Sequence, residues 1–204
     1  RGVHVSPRTA VVGLVHDGRR IVGVETSAGR IAAGIVVSAV GGNVTMLADM
    51  AGVRLPIKTH PLQAFVTNRY QHRFDPIVAS GDLGFYVSQT ARGQMLLGAE
   101  IDRQPSYSRG STHDLLASLS HRAITVLPFM RDLRVLRQWT GSCDMSPDYS
   151  PIMGDTGVDG FLITTGWGTW GFKAIPAGGE FMAQRIATGV VPELMAPFSL
   201  DRFE

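Results

Sequence analysis

The chain has 204 residues, of which 44% are hydrophobic and 18% charged, enough for one large domain or two small ones around a substantial core. Its 19 Lys and Arg stand against 17 Asp and Glu and are scattered, which argues against nucleic acid as a partner, and no apolar run reaches the roughly 18 residues of a membrane span. A single cysteine, Cys143, excludes an internal disulfide framework and fits a reducing, cytoplasmic compartment.

The opening "RGVHVSP" has no initiator Met, no basic leader and no signal-like apolar stretch, and it reads as the inside of a longer protein. "TAVVGLVHDGRRIVGVETSAGRIAAG" predicts three strands joined by tight turns at Asp17-Gly18 and Ala28-Gly29. The next run, 35–40, is continuously apolar and ends in Gly41-Gly42, as expected of a buried strand entering a close backbone approach. "TMLADMAG" predicts a short helix stopped by Gly52. From about 58 to 102 the runs "LQAFVT", "PIVASG", "GFYVSQ" and "QMLLGAEI", punctuated by Gly, Pro and Asp, predict an antiparallel sheet.

In "STHDLLASLSHRAITVLPF", Ser111 precedes Asp114 by three residues in a capping-box-like start. Leu115, Leu116, Leu119 and Ala123 follow at helical spacing, and Pro128 ends the helix. A further strand leads to "GSCDMSPDYSPIMG", expected to be a turn-rich loop, and "GFLITT" reads as a buried strand. A last helix is expected over about 179–188, stopped by Gly189.

Between those two elements lies "GWGTWGFK", which matches G-x-G-x-x-G through Gly166, Gly168 and Gly171. A dinucleotide-binding loop needs a strand before it, a helix opening within it and a second parallel strand ending in an acid about 20 residues on. The first strand is present. "FKAIP" after Gly171 predicts that no helix opens on the glycines, and Glu193 follows Pro192 without a strand around it. Three glycines in six residues can then serve in two ways. They permit unusual backbone angles and let a planar, electron-accepting ring approach, with the glycine-rich helix start "AGGEF" offering unpaired N–H groups. Alternatively, the segment is a tight structural turn with Trp167 and Trp170 in the core.

His60, His72, His113 and His121 lack convergent acidic or Cys partners at ligand spacing, so no metal site is expected, and Cys143 has no partner pattern for a nucleophile. Lys173, following Gly-Phe in a cofactor-type loop, is expected to be partly buried and to need an anionic partner, the alternative being a surface lysine after a turn.

Four segments carry a family resemblance. "GNVTMLADMAGVRLPIKTHPLQAFVT", "RQWTGSCDMSPDYSPIMG", "GWGTWGFKAIPAGGEFMAQRIATG" and the tail "APFSLDRF" resemble, in order, the flavin-dependent amine oxidases of the D-amino-acid-oxidase/sarcosine-oxidase superfamily. Within it the β-subunit family of heterotetrameric sarcosine oxidases is most similar. The likeness implies a mixed α+β and α/β fold, the C-terminal half of a D-amino-acid-oxidase-like FAD-dependent fold. Residues 1–55 would supply the β-meander and a returning strand of the FAD-binding domain. Residues 56–140 would form the substrate-domain sheet and helix, and 141–204 the remainder of the FAD-binding domain with its flavin-contacting loop and last helix.

The same resemblance implies chemistry. FAD would accept two electrons from sarcosine or a related secondary amino acid during oxidative demethylation and pass them to FMN, which is attached upstream of this chain in the tetrameric enzymes. Other subunits would be partners. Lys173 corresponds to the lysine that binds the substrate carboxylate. Gly166, Trp167, Gly168, Thr169, Trp170, Gly171 and Phe172 fall in the flavin-contacting loop, with backbone N–H groups available to the reduced ring. Gly141 and Asp148 bracket a second segment near the flavin, although Asp148 reads equally well as a turn residue. Val11, Ala39 and Gly41 match positions near the adenine or the cofactor, and strand packing accounts for them equally.

Three departures matter. Tetrameric relatives carry glycine where Trp170 stands. Leu96 occupies the neighbourhood of a lysine credited with oxygen activation in monomeric members, which fits electron transfer to a second flavin. Cys143 lies two positions past the cysteine that attaches FAD in those members, so no covalent FAD link is expected. A proline-type or D-amino-acid dehydrogenase, or a non-catalytic fragment acting only in assembly, remain the rival readings.

Overall fold

The computed structural model describes residues 2–99 and 101–204; Arg1 and Glu100, the latter within a predicted strand, lie outside the described residues. Three strands, β1 (Val11–Asp17), β2 (Arg20–Thr26) and β3 (Gly29–Ala32), form the predicted antiparallel meander. Gly18 turns the first hairpin with a φ of 60°, which glycine adopts without a steric penalty. β4 (Val36–Ser38) is shorter than the predicted 35–40 run, because the chain coils into a 3-10 turn at Gly41–Asn43. Helix α1 (Val44–Met50) follows and stops before Gly52, whose φ is 73°.

The next elements are β5 (Lys58–Arg69), β6 (Val78–Ser80), β7 (Phe85–Gln89) and β8 (Gln94–Ala99). Helix α2 (His113–Val126) is capped by Thr112, whose hydroxyl accepts from the Leu115 N–H, rather than by Ser111. Ser111 bonds to Thr140 instead. Pro128 ends the helix as predicted by opening a 3-10 turn.

Strand β9 (Val135–Met145) runs through Gly141, Ser142, Cys143 and Asp144, at the start of the segment expected to be loop. Only 146–151 turns, before β10 (Ile152–Asp155) and β11 (Phe161–Thr165). The last helix, α3 (Gly171–Thr188), starts eight residues before its expected position and ends at Gly189 in the left-handed conformation. Pro176 sits inside it. Near a helix start this removes one donor, the one that would reach the Phe172 carbonyl, without preventing the first turn from forming.

Two compact units result: the chain up to Lys58 together with Asp144–Glu204, and Thr59–Cys143. In the first, β10, β11 and β4 form a sheet in that order, β4 parallel and β10 antiparallel to β11. Alternating side chains divide its two faces. Val36, Ile152, Phe161 and Ile163 pack with Val44, Leu47 and Ala48 of α1 and with Ile21. Met153 and Leu162 point the other way, onto Met182 of α3 and Met195. Each such side chain taken out of water contributes roughly 1.5–3 kcal/mol. Arg185 pins α3 to β10 through two bonds to Asp155, at 2.6 and 3.1 Å.

In the second unit the sheet order is β6-β7-β8-β5-β9, and the registers of β6, β7, β8 and β5 are antiparallel. Leu119 and Ala123 of α2 close its core over Phe65, Phe85, Val87, Met95 and Leu97. Among the described residues no helix is long and apolar enough to cross a membrane.

Candidate functional site

Strands β4 and β11 lie side by side and parallel, with Phe161 opposite Val36 and Ile163 opposite Ser38. Both therefore deliver the chain to the same end of the sheet. There β4 gives way to Ala39 and Gly41, and β11 to Gly166 and Gly168; these glycines have φ of 54°, 68° and 53°. Helices α1 and α3 both begin at this end. The carboxyl ends of adjacent parallel strands are where open α/β sheets gather their ligands. The sheet thus brings Ala39, Gly41 and the glycine segment to one edge.

The stem of the glycine turn is held by bonds that the sequence reading missed. Asp144, nearly buried at the end of β9, accepts with Oδ2 from the Gly166 N–H at 2.7 Å and from the Thr165 hydroxyl at 2.8 Å. Its backbone carbonyl takes the Gly168 N–H at 3.1 Å. The Gly166 and Gly168 N–H groups, expected to be available to a ligand, are occupied by the protein. Trp167 bonds through its indole N–H to Thr164, and its ring lies so close to α3 that a Cβ at Gly178 would come within 2.9 Å of it. A Cβ at Gly171 would come within 2.8 Å of the Trp167 Cβ. Two glycines of the motif serve backbone conformation and the third serves packing.

The mouth of the turn is open. Trp170 is 58% exposed and Phe172 91% exposed. The pairing of Trp167 and Trp170 as core residues therefore holds only for Trp167. Because α3 opens on Gly171, Lys173 stands in its first turn, exposed rather than partly buried. Its ammonium lies 4.9 Å from the centroid of the Trp170 ring, a cation–π contact. "AGGEF" is helix interior, so the unpaired N–H groups belong to Gly171, Phe172 and Lys173. Trp170 at the cap position offers them no side-chain acceptor, and the positive end of the helix dipole is left facing outward. Thr169 beside them is exposed.

Asp148 has a structural occupation. The Arg202 guanidinium bonds both of its carboxylate oxygens, at 2.9 and 3.2 Å, and the Ser150 N–H donates to Oδ1. The arginine beside it holds its pKa down to about 2, helped by the Ser150 and Ser146 bonds and opposed by partial desolvation. These bonds account for Asp148 as the anchor of its turn. Gly141 lies on β9 in the second unit, and Val11 begins β1 in the separate three-stranded sheet. Cys143 is buried. His60 Nδ1 lies 2.7 Å from the Asp102 carbonyl. Among the described residues no group of three or more His, Cys, Asp or Glu could hold a metal. Thr164, Thr165 and Asp144 carried one signal in the sequence: polar residues placed inside or beside otherwise apolar strands.

A family model described as FAD dependent oxidoreductase matches residues 1–185. The whole chain aligns with the sarcosine oxidase subunit beta of Rhizobium meliloti (strain 1021) at 39% identity, covering 49% of that protein. It aligns with the sarcosine oxidase subunit beta of Rhodobacter capsulatus at 41% identity, again over 49% of the relative. The chain thus spans about half the length of these curated relatives. Among solved structures, an L-proline dehydrogenase from P. horikoshii superposes with a TM-score of 0.87 at 30% identity, covering 96% of this chain and 54% of that one.

Proposed function

The chain belongs to the FAD dependent oxidoreductase family, and from that premise we propose that it is the ring-facing half of a subunit that oxidatively demethylates sarcosine or a related secondary amino acid. The observation that carries this reading is the glycine turn at the carboxyl end of β11, leading into an uncapped α3. The fold class expected from the sequence, a D-amino-acid-oxidase-like mixed α/β arrangement, is the one found.

The residues at this edge fit the ring end of FAD. Left-handed glycines keep side chains away from a planar group. The first-turn N–H groups of α3 suit the electron-rich edge of a ring. Ser38, buried at the end of β4, has a hydroxyl without a hydrogen-bond partner among the described residues. The pyrophosphate fits less well: no strand follows α3 among the described residues, so the motif lacks the strand–glycine–helix–strand continuation of a dinucleotide seat. That part of the cofactor would be held by a segment corresponding to the other half of the relatives' length.

When bound, FAD supplies a two-electron acceptor. Lys173 would anchor the substrate carboxylate and so orient the amine carbon, a gain from positioning and charge. Trp170 would hold that ammonium over its ring until substrate arrives. The flavin contacts proposed are Gly166, Trp167, Gly168, Thr169, Gly171 and Phe172, with Ala39 and Gly41 at the same strand end. Electrons would leave for FMN in an assembly with other subunits, a step that Leu96 would suit by withholding the charge that oxygen activation needs. The first unit would be the FAD-binding part and Thr59–Cys143 the substrate part.

A second reading is a proline-type dehydrogenase, favoured by the 30% identity to the L-proline dehydrogenase structure. The full-length subunit carrying this sequence, purified and kept anaerobic, separates them. Visible flavin bands that bleach with sarcosine are expected. Bleaching with L-proline but not sarcosine moves the assignment to the second reading, and the absence of flavin bands overturns both.

A further inference from the structure

The geometry points to Asp144 as the positioning residue of the glycine turn, the group that holds the flavin-facing edge in register; this rests on reading the turn as flavin-facing. Gly166 and Gly168 both take left-handed angles within three residues. Glycine has the widest conformational freedom of any residue, so such a turn is loose unless something binds it. One residue supplies three ties. Asp144 Oδ2 receives the Gly166 N–H and the Thr165 hydroxyl, and the Asp144 carbonyl receives the Gly168 N–H.

The surroundings fit that role. Asp144 is 6% exposed and Thr165 fully buried, so these bonds do not compete with water. Met145 follows on β9 with its sulfur beneath Gly168, where a Cβ would come within 3.1 Å. The end of β9 is thereby tied across to the end of β11. Everything that follows the turn, including Trp170, the first-turn N–H groups of α3 and Lys173, takes its position from this clamp. The clamp also selects donors: with the Gly166 and Gly168 N–H groups occupied, a ligand at this edge must draw on the start of α3.

The test uses the full-length subunit purified with its flavin. Asp144→Ala leaves the Gly166 N–H and Thr165 hydroxyl without their acceptor. We expect kcat per bound flavin to fall on the order of 100-fold, the cost of an ångström-scale misplacement. The visible spectrum of the bound flavin should shift as well. Asp144→Asn retains an acceptor oxygen and should recover most of the rate and the wild-type spectrum.

Should the alanine variant fail to fold, Thr165→Val removes one of the three ties and should move rate and spectrum in the same direction by less. An Asp144 that merely supports the fold would lower the melting temperature and flavin content while kcat per bound flavin and the spectrum stayed wild-type. That result, in Asp144→Ala or, where that variant does not fold, in Thr165→Val, overturns the inference alone. A wild-type subunit without flavin overturns this inference and the proposed function together.

Discussion

Two tryptophans three residues apart have opposite environments. Trp167 is packed against α3, bonded through its indole to Thr164, with Gly178 shaped around its ring. Trp170 stands in the open with the Lys173 ammonium over its ring. One belongs to the stem of the glycine turn, where the Gly166 and Gly168 N–H groups and the Trp167 indole are bonded within the protein. The other belongs to its mouth, where an uncapped helix start, an exposed phenylalanine and a lysine meet solvent. A motif of eight residues thus divides into a part that maintains shape and a part left available for binding. Substitutions that remove packing from the stem should register first in stability, and those in the mouth in activity.

The largest expected effect is in the stem. Trp167→Ala removes a large ring from between β11 and α3 and should destabilise the full-length subunit by about 3 kcal/mol, at the lower end of the usual range because the ring is only partly buried. Trp170→Ala, at an exposed position, should cost under ~1 kcal/mol. Thermal melts of both variants side by side measure the contrast. Equal losses would dissolve the distinction between stem and mouth.

Lys173→Ala addresses the mouth directly. Losing a charge-assisted contact to a substrate carboxylate costs about 1.5–3 kcal/mol, roughly 10- to 150-fold in kcat/KM. Flavin content and melting temperature should stay near wild type, since the lysine is exposed and its one described contact is with another exposed residue. Unchanged kinetics on sarcosine would remove Lys173 from the substrate site.

The sequence revealed the elements whose signals were local. The meander was readable because Asp17-Gly18 and Ala28-Gly29 punctuate Val- and Ile-rich runs. β11 was readable from an unbroken apolar run. Elements governed by tertiary contacts were not. Pro176 suggested that no helix could open on Gly171, yet a proline near a helix start removes a single bond, and Trp167 packing on Gly178 favours the helix. "GSCDM" looked like a turn because Gly, Ser and Asp predominate, but pairing beside β5 makes it strand. Asp144 is inconspicuous in the sequence for the same reason: its partners, Thr165 and Gly166, lie more than twenty residues away. Lys173 is exposed and not partly buried because α3 begins at Gly171, two residues before it.

The smallest effect returns to the outer side of the stem, where Asp148 ties its turn to Arg202. Its pKa is lowered to about 2, chiefly by the arginine, from the ordinary carboxyl value of 3.8. The unfolded state therefore binds more protons than the folded one across that interval. Stability from this pair is fully present above about pH 5 and is lost as pH falls through about 2. Asp148→Asn keeps an acceptor for the Ser150 N–H but abolishes the ion pair and its titration. Asp148 is 41% exposed, so solvent screens the interaction, and the loss at neutral pH should be at most about 1 kcal/mol. Melting temperatures of wild type and variant measured from pH 7 down to 2 should converge as the acid limit is approached, and 1 M salt should narrow the gap at pH 7. A gap that stays constant across the whole range would mean that Asp148 acts through its turn geometry and not through its charge.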